Sequence, residues 1–388
     1  MSSVEPPVYL DNHATTRVDP RVLDVMLPWF SEHYGNAASR GHAPGYRAAR
    51  AVEAARAQVA KRLGCSPKEV LFTSGATESN NLAILGCVRQ RGAHGAHVVT
   101  VATEHKAVLD PVHQLMREGA QVTVLPVDSE GRIESAQVDA ALRPDTVLVS
   151  VMAVNNEIGV EQPVAAIGAL CRERGVVFHC DAAQTAYTPL DVRSWNVDLL
   201  SLSGHKLYGP KGIGALYVRR GRPRIQLTPL VFGGGHERGM RSGTLPVPLI
   251  VGLGEAIALL GHPDEAARVA ALRDHLWAGL SAIDGVVANS PEQRAPQNLN
   301  VSFLGVEAEA LLMAVRGIAV STGSACTSAT LEPSHVLKAL GLEQERVQSA
   351  IRFGLGRFTT RDEIDRVVER FVASVDMLRA MRVDTFLS

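Results

Sequence analysis

Little in this sequence marks a secreted, membrane-embedded or nucleic-acid-binding protein. Its five cysteines, at positions 65, 87, 171, 180 and 326, form no CxxC pair. An odd number of them in so long a chain argues against a disulfide framework and for free thiols in a reducing compartment. Met1–Pro7 has neither a basic start nor an apolar core. No signal peptide is therefore expected, and the cytoplasm is the expected location. No apolar run reaches membrane-spanning length. Asn300-Val301-Ser302 fits a glycosylation acceptor, but without a secretory route it is a chance match. A net charge of −1 leaves neither the basic footprint of a nucleic-acid binder nor a polyacidic tail. A Walker A loop and a GxGxxG turn are both missing, which disfavours nucleotides and dinucleotides. Cys171, His179 and Cys180 fit no common zinc spacing, so no resident metal is expected.

What is present is an ordinary globular composition, 46% hydrophobic and 20% charged. At 388 residues the chain exceeds the size at which one core stops growing, so two domains are expected. From about residue 69, short apolar strands alternate with amphipathic helices. Strands are predicted at Glu69–Thr73, His97–Val101, Gln121–Val127, Thr146–Met152, Val176–Cys180, Val197–Leu202 and Ile213–Val218. Helices are predicted at Thr77–Arg91, Lys106–Glu118, Ser135–Leu142 and from Pro163 to Arg174. This alternation implies an α/β fold with a largely parallel sheet covered by helices on both faces. After about Gly261 the pattern changes to helices at 266–282, 307–315, 334–340 and 361–378 and a strand at 297–303. These read as a smaller α+β domain. The expected division is 15–260 for the large domain, and 1–14 with 261–388 for the small one.

Ligands of such sheets sit beyond the carboxyl ends of the strands. The chemistry-bearing residues fall there: Ser74–Thr77, Thr103–His105, Asn155–Glu157, Asp181–Gln184 and Ser203–Lys206. Thr73-Ser74-Gly75-Ala76-Thr77 leads from a strand into a helix, where free N–H groups and the helix dipole suit a phosphate. The competing reading is a plain turn with a Thr N-cap. Asp181 could pair with a protonated pyridine nitrogen, or simply cap a helix or form a salt bridge. Gln184, three residues on, could bond a phenolic oxygen of the same ring. His105 could stack on a ring and shuttle protons, or be a satisfied surface histidine. Lys206 abuts a strand end and Ser203, which suits Schiff-base chemistry because burial lowers an amine's pKa. Lys211 lies in the turn Gly209-Pro210-Lys211-Gly212 and is expected to be solvated. Cys326 sits in Ser321–Thr330, where no side chain is larger than Thr or Cys, so that segment is expected to pack poorly and to move. Cys171 and Cys180 fall in a helical pattern and an apolar strand, where thiols are usually inert. Arg352 could clamp a carboxylate bidentately or form a surface ion pair, and spacing alone does not decide.

Longer motifs carry a resemblance. Tyr9–Thr16, Thr73–Asn80, Glu104–Val108, Val154–Gly159, Ser203–Gly214, Gly233–Thr244, Ser321–Ser328 and Arg352–Phe358 together span nearly the whole chain. In them the chain resembles the NifS/IscS-type cysteine desulfurases, within the class V aminotransferases of fold-type I. The resemblance implies pyridoxal 5′-phosphate as cofactor, with Lys206 as its Schiff-base lysine. It implies Ala76, Thr77, Ser203 and His205 at the phosphate, Asp181 at the ring nitrogen, Gln184 at the phenolic oxygen and His105 stacked on the ring. Asn36, Asn156 and Arg352 would orient the cofactor or the substrate carboxylate. Thr244 would reach the phosphate of a partner subunit, which implies a homodimer. Cys326 would take sulfur from L-cysteine as a persulfide, releasing alanine. It would deliver that sulfur to an iron–sulfur scaffold or another acceptor protein, and its only metal contact would be transient, with a cluster on that partner. Housekeeping members usually continue further past the last helix than this chain, which stops at Ser388. An aminotransferase or a selenocysteine lyase on the same fold is the rival enzyme reading, and a sulfur-relay or scaffold protein the rival non-enzyme one.

Overall fold

The computed structural model describes residues 7–221, 224–322 and 333–387, and the side chains among these up to Met381. The first strand, β1 (Val8–Tyr9), is followed by the helix Ala43–Leu63, which the sequence reading missed. Its inward stripe is Ala48, Val52, Ala55, Val59 and Leu63, spaced at three and four residues. Small alanines among arginines make that stripe weak in sequence. The helix packs against Val247–Ala258, where Gly254 permits close approach: a Cβ there would stand 2.8 Å from Ala55 Cα.

All seven strands predicted before residue 220 form, with boundaries shifted by two residues or fewer. They are β2 (Val70–Thr73), β3 (His97–Val101), β4 (Gln121–Leu125), β5 (Thr146–Ser150), β6 (Val177–Asp181), β7 (Leu199–Ser203) and β8 (Gly214–Val218). They make one sheet in the order β2-β8-β7-β6-β5-β3-β4. Pairings from β7 through β6, β5 and β3 to β4 are parallel, and β8 alone runs antiparallel to both its neighbours. β2, β3, β6, β7 and β8 are buried along their whole length, as expected for a sheet covered on both faces. The helix Ala76–Arg91 leaves β2 and Lys106–Arg117 begins five residues after β3, so their N-termini open at the same sheet edge.

The rest of the chain builds a second layer. β9 (Val286–Ala288), β10 (Asn298–Phe303) and β12 (Ala350–Gly354) form an antiparallel sheet, while β11 (Ile318–Ala319) pairs in parallel with β1. Val8, Leu10, Leu276, Val301, Phe303, Phe353 and Phe371 share one hydrophobic cluster, so the first strand belongs to the same core as the last third of the chain. The last helix runs from Arg361 to Leu387 rather than ending at Leu378. Among the described residues no single helix is long and apolar enough to cross a membrane.

Candidate active site

At the carboxyl ends of the parallel strands lies a cleft of about 470 Å³. Nine of the predicted residues line it: Ala76, Thr77, His105, Asn156, Asp181, Gln184, Ser203, His205 and Lys206. They come from five strand ends, those of β2, β3, β5, β6 and β7, by the same local logic, an apolar strand terminating in a small or polar residue at or before the next turn.

The helix Ala76–Arg91 starts from Gly75 at φ 154° with no side-chain cap. The Thr cap entertained from sequence is therefore absent, and Gly75, Ala76 and Thr77 line the cleft with no side-chain cap on the helix among the described residues. Glycine suits this turn through its backbone, since φ 154° is a conformation that L side chains rarely adopt, while a Cβ there would meet Ser203 Oγ only at an ordinary 3.7 Å. An uncapped N-terminus beside Ser203 and His205 fits a phosphate monoester. Glu78 accepts from Ser74 N at 2.8 Å and from Arg241 Nε at 2.8 Å, which fastens this turn to the Gly233–Thr244 loop.

Asp181 ends β6. Its Oδ2 accepts from Asn80 Nδ2 at 2.6 Å and its Oδ1 from Ala183 N at 2.9 Å, so the carboxylate is held in one orientation. Lys206 follows β7 in a short 3-10 turn, and its Nζ donates to the carbonyl of His13 at 2.8 Å. Lys211, the rival lysine, is exposed at the rim. Gln184 uses Oε1 and one Nε2 hydrogen on His13, at 3.1 and 3.0 Å, which leaves a second amide hydrogen for a ligand. A carboxylate, an amine and an anion cradle converging in one cleft are a donor set that fits pyridoxal phosphate.

Two imidazoles in the cleft are held neutral. His105 Nδ1 accepts from Ala107 N at 3.0 Å, so its Nε2 carries the hydrogen. Burial lowers its pKa, against the opposing pull of Asp181. His205 is pushed down to about 4, first by burial and then by Lys206. Its carbonyl accepts from Thr16 N at 2.7 Å.

Three predicted residues stand apart from the cleft lining. Arg352 is 1% exposed in the middle of β12, so its reading as a surface ion pair fails. It bonds the carbonyl of Asn156 at 3.1 Å and Asp11 Oδ1 at 3.0 Å. Asn36 is exposed and its Oδ1 accepts from Ala38 N. Thr244 is exposed at the end of its loop. Cys326 lies outside the described residues. Sequence reasoning missed His13, Asn80 and Glu104. His13 is buried and pushed down to about 3, chiefly by burial. Glu104 is fully buried and raised well above the carboxylate range by burial, with Oε1 accepting from Met152 N. Asn80 had a weak signal, closing the Thr73–Asn80 motif. His13 and Glu104 had only their motifs, because their partners lie far away in sequence.

The class-V aminotransferase family model matches residues 8–367. A protein of Anaeromyxobacter dehalogenans (strain 2CP-C) named cysteine desulfurase IscS is 58% identical over 380 residues, 97% of this chain and 94% of that one. A solved structure of a NifS-like protein superposes with a TM-score of 0.88 at 37% identity, covering 96% of this chain and 100% of the other. The structure of SspA in complex with cysteine gives 0.82 at 38% identity, covering 91% and 100%. These likenesses agree with the resemblance drawn from the motifs and with a fold-type I architecture. The chain belongs to the class-V aminotransferase family of pyridoxal phosphate enzymes, among its NifS/IscS-type members.

Proposed function

We propose that this protein is a pyridoxal phosphate-dependent cysteine desulfurase that converts L-cysteine to L-alanine and moves the sulfur to Cys326 as a persulfide. The observation that carries the reading is the convergence of Lys206, the oriented Asp181 carboxylate and the uncapped Gly75–Thr77 turn in one cleft. When bound, the cofactor supplies an electron sink for the substrate's Cα carbanion. Ala76, Thr77, Ser203 and His205 would hold its phosphate, and Asp181 would keep a proton at its ring nitrogen. Gln184 would give its remaining amide hydrogen to the phenolic oxygen. Lys206 Nζ would take the Cα proton of the substrate, and neutral His105, with its hydrogen on Nε2, would serve as a proton donor beside it. Asn36, Asn156 and Arg352 orient the carboxylate. The Cys326 thiolate attacks the substrate sulfur: a S–S bond forms, the C–S bond breaks, and its electron pair is taken up at the carbon that becomes the alanine methyl.

Incubating the holoenzyme with L-cysteine and assaying alanine and sulfide together tests the activity. Cys326→Ala should keep the cofactor absorbance and its response to L-cysteine while losing persulfide and alanine release. Alanine formed by that variant at the parent rate would remove Cys326 from the mechanism.

We further infer a homodimer with shared sites, a smaller domain made of residues 1–14 and 261–388, a cytoplasmic location, and delivery of the sulfur to an iron–sulfur scaffold or another acceptor protein. Support for the dimer comes from exposed Thr244 and from Leu27, Phe30, Tyr34 and Phe232, all more than half exposed in the single chain. Mixing Lys206→Ala chains with Thr244→Ala chains should regenerate one intact site per hybrid. No recovery after verified subunit exchange would count against sharing.

A further inference from the structure

Arg352 is the largest fully buried side chain among the described residues. Burying a guanidinium is unfavourable unless its charge is paired and its N–H groups are bonded. Nη2 reaches Asp11 Oδ1 and Nη1 the carbonyl of Asn156, while Nε has no partner among the described residues. The same Asp11 oxygen also accepts from Ser321 Oγ at 3.0 Å, and Arg352 N donates to the carbonyl of Ser321 at 2.7 Å. The residue after Asn156 is Glu157, buried, whose Oε2 accepts from Ser334 Oγ at 2.5 Å. Ser334 Oγ also caps the helix His335–Ala339 by accepting from Leu337 N at 3.1 Å. Asn298 and Asn300 of β10 both donate to the carbonyl of Glu157, fixing its backbone. Ser321 and Ser334 stand on either side of the stretch that contains Cys326. Both flanks of that stretch are thus tied to acidic residues grouped around one guanidinium.

We propose that Asp11 and Glu157 are positioning residues that hold, through Ser321 and Ser334, both flanks of the Cys326 stretch in register with the Arg352 guanidinium. The proposal rests on the reading of Cys326 as sulfur acceptor and of Arg352 as the partner of the substrate carboxylate. The carboxylate and the thiol of cysteine stand on adjacent carbons, so fixing one confines the other. A frame that refers the acceptor's flanks to the carboxylate's partner sets where the two sulfurs can meet, and misplacement by about 1 Å can slow a step about a hundredfold. The charges around the frame are consistent with it. Asp11 neutralises Arg352, and burial pushes the Glu157 carboxyl up to about 7 against the opposing pull of Ser334 and Arg352. The nearby His13 ring, pushed down to about 3, adds no charge near neutral pH.

The test separates binding from transfer in the holoenzyme. One readout is the L-cysteine concentration that half-saturates the change in cofactor absorbance; the other is the single-turnover rate of alanine formation with persulfide on Cys326. Ser321→Ala and Ser334→Ala leave the Arg352–Asp11 pair in place. Each should keep half-saturation within about twofold and slow transfer about tenfold, and the double variant should be slower than either. Ser321→Thr and Ser334→Thr retain a hydroxyl and should restore the rate. Glu157→Gln keeps an acceptor oxygen and should resemble the parent, whereas Glu157→Ala should resemble Ser334→Ala. Transfer at the parent rate in the double alanine variant overturns the proposal. So does a joint loss of binding and rate that threonine does not rescue, which would mark a general structural role. A parent enzyme that makes no alanine from L-cysteine overturns the desulfurase reading itself, before any variant is compared.

Discussion

The two ends of the cleft are assembled by different means. At the proposed phosphate end, Gly75, Ala76, Thr77, Ser203 and His205 each lie within four residues of a strand terminus, and the neighbouring β2, β8 and β7 bring them together. At the proposed substrate end, Arg352, which stands behind the cleft lining, needs Asp11, the Asn156 carbonyl and Ser321, three positions far apart in sequence. The first end follows from strand–helix alternation alone, because ligands gather where parallel strands stop. The second exists only after two sheets have packed. The cofactor end should therefore respond to changes in local backbone and amine chemistry, and the substrate end to changes in long-range charge pairing.

Lys206→Ala is the most damaging change expected at the cofactor end. Alanine formation should fall by more than about a thousandfold, and borohydride should no longer fix the cofactor to the chain. Peptide mapping of the reduced parent should find the adduct on Lys206, and an adduct on Lys211 would reassign the lysine. At the substrate end, Arg352→Met should destabilise the fold by about 3–5 kcal/mol, because it leaves the Asp11 charge without its partner. Equilibrium denaturation would show this. An unchanged midpoint would mean that Asp11 is solvated rather than paired. Arg352→Lys should not restore the parent, since one ammonium cannot reach both Asp11 and the Asn156 carbonyl in the guanidinium's geometry. Gly75→Ala is a smaller local perturbation. Strain of about 1–3 kcal/mol at φ 154° should weaken cofactor retention on dialysis about tenfold or more, with little change in the cysteine response of sites still loaded.

Smallest are the pH effects, and they have opposite signs. His13, His179 and His205 have folded-state pKa values of about 3, 4 and 4, below the ordinary 6.5, with burial the first cause in each. The unfolded chain binds more protons between those values, so stability should fall as pH drops below about 6.5. Glu157 is shifted upward to about 7 from 4.5, so its contribution should fall as pH rises through that interval. Glu157→Gln should remove only this second trend in a pH series of denaturant midpoints; a parent-like slope between pH 4.5 and 7 would show that the carboxyl is ionised throughout.

What was legible in the sequence follows the same division. All seven strands of the large sheet are legible: five are buried along their whole length and read as largely apolar runs, while the more exposed edge strand β4 shows in the alternation of Val122, Val124 and its polar neighbours. β12 was missed because Arg352 sits in the middle of five buried residues and breaks the run. β1 and β11, two residues each, are too short to show any period. Lys206, Asp181, Gln184 and His105 could be picked out because each follows a strand directly or closely. His13 could not, since its partners are Gln184, Asn298 and Lys206, and no local pattern joins position 13 to these. Asn36 and Thr244 came from the family resemblance, and neither lines the cleft in a single chain.

The way residues 8–16 thread through the molecule also sets a timetable. Leu10 accepts from Gly354 N, Asn12 N donates to Gly354 O, the carbonyl of His13 receives Lys206 Nζ, and Thr16 receives support from His205. This segment thus waits for a partner, Gly354, that is translated 342 residues after Asn12. The large sheet can form earlier, since all its strands precede residue 219. A nascent chain that has not yet made β12 would hold the large sheet with Leu10 and Asn12 still unpaired, so the surroundings of Arg352 are completed after the cofactor end.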